Sequence, residues 1–469
     1  MRPRARMREA AARLRGPRGC VLLLAVLFAL LQLGTVTGRD TPDTKNYLSY
    51  ALSLRGTDKR ATAAVTIDYA CAGRAARARR EQSVDVLRFR APSPAARVAK
   101  ECRTELGRAV DTRLRAGQTG GHTLPFMPVR FMRIFEVRPG YPVFLLPFVS
   151  VLGATWGLWA AGVTVTVAGG VLVYVLLRGR RVPAPLALAG QGLYYVLPCG
   201  TTAMRPMTEG LMTALTLTAL WGCALALDGR RRCGPAVVGG ALLALFTVKH
   251  SQALFLGLAL AAAGALITVR RRARHRPAGR ALLAVTAVAC CAVAGTLLVA
   301  RALHYPSEYD SLQDLLTDHY ARPDRARPWP ELLRLEADFW REWLRRQLWQ
   351  PLFAALLAAG AWGALRARPG SGPGPGRAFG AFVVAAAATG FLNQAAHPDI
   401  TVWGERLIVL AWLLPVLGLP LLAAAPAPGA RRPAAGIPGP RAESTESTES
   451  AESAEGGERS PEGTGKVTR

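Results

Sequence analysis

From Cys20 to about Val36 the chain runs without a charge, directly after a segment, residues 1–18, that holds seven arginines and one glutamate. Apolar blocks recur at 142–177, 183–204, 207–227, 234–248, 251–269, 281–300, 350–365, 378–394 and 407–425. A soluble domain disperses its apolar residues as periodic core positions, whereas blocks of about 20 are what a bilayer span requires. The pattern predicts an all-α polytopic membrane protein. A secretory signal peptide shares the basic-then-apolar shape of the first block, but no small-x-small cleavage site stands near Gly38, which favours an uncleaved anchor.

Short basic connections orient the blocks, because Lys and Arg concentrate on the cytoplasmic side. They lie at Arg178–Arg181, Arg230–Arg232, Arg270–Arg280, Arg366–Arg377 and Arg431–Arg432. All face inside if 142–177 crosses once, with 142–153 lying in the interface, and if 183–227 and 234–269 are hairpins turning outside near Arg205 and Lys249. The expectation is therefore about ten transmembrane helices with both termini cytoplasmic. Residues 1–18 form a basic inner N-terminus, 19–37 the first span, 142–300 spans two to seven, and 350–425 spans eight to ten. Two sizeable outer loops remain, 38–141 and 301–349.

Within the first loop, Val98, Cys102, Leu106, Val110 and Leu114 recur every four residues and predict a helix over 96–115. Residues 126–137 mix bulky apolar side chains with Arg130 and Arg133, which suits a helix in the membrane surface or an ordinary amphipathic core helix. Residues 331–349 place Trp340, Trp343 and Trp349 at the level of an interfacial belt. The tail, 426–469, repeats Glu-Ser-Thr/Ala and is expected to be disordered and solvated, or to pair with the inner arginines.

Composition changes this picture little. The chain is 51% hydrophobic and carries a net charge of +28, which would ordinarily suggest nucleic acid. Here the basic residues flank the apolar blocks, so the bilayer is the expected partner and nucleic acid is not. Only five of the 59 basic residues are Lys, and with abundant Ala, Gly and Pro this points to a G+C-rich bacterial genome. Eight cysteines are too few for a secreted disulfide scaffold. Cys71 and Cys102 are the two in the large outer loop, where a disulfide is permitted. Cys102 also fits as a small apolar residue on its helix face.

No phosphate-binding loop, dinucleotide fingerprint, nucleophile elbow or zinc spacing is present. The candidate chemistry sits at the outer ends of the blocks. Asp40 and Asp43 follow the first span, with Asp43 well placed as the N-cap of a short helix. Arg205 and Glu209 stand four apart, as an ion pair capping the hairpin or as an anion site. Lys249, the one lysine between positions 100 and 466, lies at the next outer turn with His250. It either snorkels to the interface or binds an anion. His397, Asp399, Glu405 and Arg406 precede the last block. Several cations at one membrane face are suited to a phosphate.

The order of short motifs resembles that of the GT-C superfamily of integral-membrane glycosyltransferases, over roughly residues 20–425. The motifs are Pro-Asp-Thr-x-x-Tyr-Leu (42–48), Arg-Pro-Gly-Tyr-Pro (138–142), Arg-Pro-Met-Thr-Glu-Gly-Leu (205–211), Val-Lys-His-Ser-Gln-Ala-Leu (248–254) and Glu-Arg-Leu (405–407). The resemblance implies transfer of a sugar from a polyprenyl-phosphate donor to an extracytoplasmic acceptor, at an active site facing outside the bacterial plasma membrane. It implies a catalytic carboxylate in the first outer loop. The Pro-Asp-x-x-x-Tyr-Leu context favours Asp43 over Asp40, although many members show a paired acidic motif where these two are three apart. Arg406 and Lys249, then Arg205, are the residues expected to hold the donor phosphate, with no metal or cofactor required. A multi-span transporter and a non-catalytic membrane scaffold are the competing readings. The first predicts ionisable residues or broken helices near the midplane, the second an outer surface without a cleft joining Asp43 to the cations.

Overall fold

The computed structural model describes residues 16–366 and 376–425 of the chain. The expectations for the extreme N-terminus and for the tail after 425 fall outside the described residues. Helices α1 (Pro17–Gln32), α2 (Thr44–Leu54), α3 (Lys59–Ser83), α4 (Ala95–Arg115), α5 (Val129–Glu136) and α6 (Gly140–Gly179) come first. They are followed by α7 (Ala184–Val196), α8 (Pro198–Ala203), α9 (Thr208–Leu227), α10 (Cys233–Val248), α11 (His250–Arg272) and α12 (Arg280–Ala302). The remainder is α13 (Glu308–Leu316), α14 (Pro328–Trp349), α15 (Leu352–Arg366), α16 (Gly376–Ala395) and α17 (Leu413–Ala423), with no strand among the described residues.

Six of these helices are long and apolar enough to cross a membrane: α1 with its 3₁₀ extension to Thr35, α6, α9, α11, α12 and α16. Helix α14 is long enough but too charged and α15 apolar but too short, so they satisfy both conditions only together, and they meet at 92°. Lipid-facing character is plain in α1, where Leu22, Leu23, Leu30 and Leu31 are each more than half exposed.

Three apolar blocks are not the straight helices that hydropathy alone suggests. The 142–177 block lies within one 40-residue element broken at Gly153, which adopts φ +73°. That left-handed conformation is open to glycine and disfavoured for other residues. The break falls at the end of the segment expected to lie along the interface. Block 183–204 is two helices parted at Leu197, which is extended (ψ 169°). Pro198 explains it, since proline disfavours helical geometry in the preceding residue and donates no N–H. Block 407–425 opens in turns and a 3₁₀ segment, Val409–Trp412, and is α-helical only over α17.

The main core packs α6 to α12 with α15 to α17, around Tyr194, Phe379, Phe382 and Leu417. Helices α15 and α17 approach backbone to backbone: a Cβ on Gly418 would lie 1.9 Å from the Gly360 carbonyl oxygen. A second cluster joins α2, α5 and the start of α6 through Tyr47, Leu48, Met132, Phe135 and Tyr141. There α5 packs as an ordinary amphipathic helix, with Met132 and Phe135 buried. The third lies between α3 and α4, where Cys102, Leu106 and Val110 form the buried stripe. Here Cys71 and Cys102 are joined in a disulfide.

The two hydrophilic segments are tied to each other. Arg130 of α5 bonds Asp310 and Asp324, each at 2.8 Å, and its guanidinium lies 4.4 Å from the centre of the Tyr320 ring. Ser307 and Asp310 cap α13 reciprocally, and the Tyr320 hydroxyl donates to the Asp310 carbonyl at 2.6 Å. Asp318, His319 and Tyr320 all take positive φ (55°, 58° and 62°). For residues with a Cβ this costs about 1 kcal/mol or more each, so the bonds around Arg130 must hold the segment in place.

Candidate active site

These elements enclose a cavity of about 540 Å³. Asp43, Glu209, Lys249 and Arg406 line it, and so do Arg138, Asp314, His319 and His397. Charged side chains drawn from positions 43 to 406 of the sequence thus meet in one space.

Asp43 stands at the N-terminus of α2, but its carboxylate makes no capping bond. The N-cap expectation is corrected: Asp43 already has helical dihedrals (φ −79°, ψ −25°), and the side chain turns instead to Arg406. Thr44 secures the start of α2. Its hydroxyl accepts from the Thr41 N–H at 2.8 Å and donates to the Pro206 carbonyl at 3.0 Å, tying α2 to the turn before α9.

Glu209 lies in the first turn of α9, where negative charge suits the helix N-terminus. It is 2% exposed. One carboxylate oxygen lies 3.4 Å from Arg406 Nε and 3.9 Å from Lys249 Nζ; the other accepts from the Thr208 hydroxyl at 3.2 Å. The Arg205–Glu209 pairing expected from spacing does not form. Met207 is extended (φ −154°, ψ 170°), so the two residues do not share a helix and the four-residue rule has no purchase. Arg205 pairs with Glu405 at 2.7 Å and is not among the residues lining the cavity.

Lys249 is the single extended residue (φ −159°, ψ 91°) between α10 and α11. Its side chain is 12% exposed and points to Glu209, so it does not snorkel to water. Arg406 bonds both Asp43 and Glu209. Burial alone would lower its pKa, but the Glu209 and Asp43 carboxylates outweigh that and raise it. Arg406 is permanently cationic.

Asp40 lies elsewhere. Arg77 holds it in a fork, at 2.7 and 3.3 Å, in a smaller hollow with Lys45 and Arg74. Its carboxylate therefore does not meet Arg406 or Lys249.

Sequence reasoning gave no role to three contributors, Arg138, Asp314 and His319. Arg138, inside the quoted Arg-Pro-Gly-Tyr-Pro stretch, lines the cavity with a buried Nε that has no hydrogen-bond partner. An unpaired buried donor of this kind is costly unless a ligand meets it. His319 Nδ1 lies 3.1 Å from an Asp314 carboxylate oxygen, and that hydrogen bond raises the imidazole pKa. His397, by contrast, is lowered by burial and stays neutral near pH 7. Beside the cavity, Asn393 and Gln252 bond each other at 2.5 Å, and Gln252 bonds Thr389 at 2.9 Å, linking α11 to α16 through buried polar groups.

Comparison with protein-family models, with curated proteins and with solved structures finds no match to this chain.

Proposed function

We propose that this protein is a membrane glycosyltransferase that moves a sugar from a polyprenyl-phosphate donor to an extracytoplasmic acceptor. One observation carries the reading: an aspartate at the mouth of the first hydrophilic segment shares a cavity with Arg406, Lys249 and Arg138. A carboxylate beside a set of fixed cations is what displacement of a phosphate leaving group calls for. The topology that goes with it has ten spans and both termini inside. The six long apolar helices supply part of that count, and the broken 183–204 block, α10, α15 and the 409–423 segment supply the rest. The site then faces outward from a bacterial plasma membrane.

In this mechanism Asp43 takes the proton of an acceptor hydroxyl as its oxygen attacks the anomeric carbon. The bond from that carbon to the phosphate oxygen breaks, and the electron pair leaves with polyprenyl phosphate. Arg406, Lys249 and Arg138 stabilise the charge that develops there. Glu209, buried beneath two of them, positions the cations and does not touch substrate. Asp40, held by Arg77, has no part in the step.

The test is sugar release in nanodiscs from a panel of radiolabelled polyprenyl-phosphate sugars, with water and short glycans as acceptors. Wild-type protein and Asp40→Asn should turn over one donor. Asp43→Asn should lose roughly 10²–10⁴-fold in rate, the usual range for loss of a general base. Full activity of Asp43→Asn in nanodiscs, or donor flux across sealed proteoliposomes without sugar release, would overturn the proposal.

A further inference from the structure

The turn between α3 and α4 leaves several apolar side chains largely exposed. Val84 is 80% exposed, Val86 85%, Leu87 92% and Phe89 54%. The turn is nevertheless well ordered by its own bonds. Asp85 accepts from the backbone N–H groups of Leu87 and Arg88, both at 2.9 Å, and the Gln82 amide donates to the carbonyls of Arg88 at 2.9 Å and Ala91 at 2.5 Å. These bonds fix a conformation that displays the apolar residues. In water alone that display is unfavourable.

Its place in the fold says what covers it. Moving along α3, Gly73 meets Asp40, Arg77 bonds the carbonyls of Asp40 and Gly38, and Arg80 packs on Gly38. The helix therefore descends toward the end of α1 as the chain ahead of it is read backward. Val84 lies four residues past Arg80, about 6 Å further at helical rise. That carries the turn from Gly38 toward the last turn of α1, Leu33–Thr35, where Leu33 is 45% exposed. Helix α1 with its extension is itself apolar and long enough to cross a membrane, and its leucines are exposed. Around the turn stand Arg79, Arg80, Arg88 and Arg90, all exposed, against the two acids Glu81 and Asp85. Arg88 is engaged by Asp85 and the Arg90 guanidinium lies 5.3 Å from the centre of the Phe89 ring, while no acid among the described residues pairs with Arg79, Arg80 or Arg90.

We propose that this turn is a membrane anchor: Val86, Leu87 and Phe89 enter the leaflet in which α1 ends, and the arginines take lipid phosphates. The partner is the bilayer itself, with a preference for anionic headgroups. An apolar tip ringed by arginines matches the interface, where apolar side chains gain burial and each nearby cation is drawn to anionic lipid. The anchor would fix the disulfide-linked α3–α4 hairpin against the membrane. It is independent of the catalytic reading.

The full chain, with Cys20, Cys233, Cys290 and Cys291 replaced by alanine, would carry a fluorophore at Leu87→Cys, Leu31→Cys or Gly120→Cys. Each is reconstituted into phosphatidylcholine vesicles, with or without phosphatidylglycerol, containing lipids with a nitroxide high on the acyl chain. The label at position 87 should be quenched as strongly as that at 31, and the label at 120 should not be. Phosphatidylglycerol should deepen quenching at 87, and Arg80→Gln/Arg90→Gln should abolish that gain. Quenching at 87 no greater than at 120, with full access to aqueous iodide, overturns the anchor. Burial of position 87 that depends on protein density, through contact with a second copy, overturns it equally. A gain that survives the arginine changes overturns the headgroup preference.

Discussion

Replacing Glu209 by glutamine removes one negative charge from a side chain that is 2% exposed and close to both Arg406 and Lys249. Breaking a buried ion pair by removing one partner costs about 3–5 kcal/mol, because the other charge is left without compensation. Arg406 retains Asp43, and glutamine keeps an acceptor oxygen, so the lower end applies and the expected loss is about 3 kcal/mol. Nearly all of it should trace to Lys249, which has no other carboxylate within ion-pair distance among the described residues. Lys249→Met removes that charge while filling similar volume. The double variant Glu209→Gln/Lys249→Met should therefore be more stable than Glu209→Gln alone, with a coupling energy of about 1–3 kcal/mol. Denaturant unfolding in bicelles, followed by tryptophan fluorescence, would give the four corners of the cycle. A coupling energy below about 0.5 kcal/mol, the limit of ordinary additivity, would refute the pairing that organises the cavity.

Other expectations concern different parts of the fold. Cys71→Ser/Cys102→Ser opens a loop closed across 31 residues and should lower stability by roughly 3–4 kcal/mol in the chain-entropy model, read as a lower unfolding midpoint; thiols found free in alkylated, non-reduced protein would contradict the bridge. Because the Asp314 hydrogen bond raises the His319 pKa, its stabilisation is fully present below the unfolded value near 6.5 and fades as pH rises through the folded value. Asp314→Asn should therefore lower the unfolding midpoint at pH 5.5 but leave it close to wild type at pH 9. Gly418→Val should abolish accumulation of folded protein, since even the first carbon would collide with Gly360, and normal yield with an unchanged midpoint would show that α15 and α17 are less tightly joined. Impermeant thiol reagents should reach single-cysteine reporters at Gly120 and Asp324 in intact cells but not one at His275; labelling at His275 would overturn the proposed topology.

The apolar blocks were legible because span length and composition are local properties, read over a window of about 20 residues. So was the helical stripe through Cys102, Leu106 and Val110, which needs only the helix period. The interruptions at Leu197 and before Val409 were not, because hydropathy averages over a chain's bends; Pro198 was the available signal for the first. Much of the cavity was hidden for a different reason. The bond from Arg406 to Asp43 spans 363 residues and that to Glu209 spans 197, distances at which no spacing rule operates. Local rules named Asp43, Glu209, Lys249 and Arg406 individually but could not pair them with one another; the capping bond for Asp43 and the Arg205–Glu209 pair, which spacing offers, do not form. Arg138 stood inside a quoted motif without a role, since nothing local says that its Nε is buried. The Asp314–His319 pair escaped because the second hydrophilic segment drew notice for its tryptophans.

Helix α10 has 16 residues and so rises about 24 Å, several ångströms less than the roughly 30 Å hydrocarbon thickness. In the proposed ten-span topology the chain would turn at Lys249 before clearing the acyl region. Under that topology the amine, and the cavity around it, would sit in a notch sunk below the headgroup plane, where the bilayer thins or water follows the charges inward. A substrate carried on a lipid tail would gain from that depth. Its phosphate could slide laterally into the notch while the tail stayed among its neighbours, so that loading would resemble a sideways step within one leaflet rather than extraction from it.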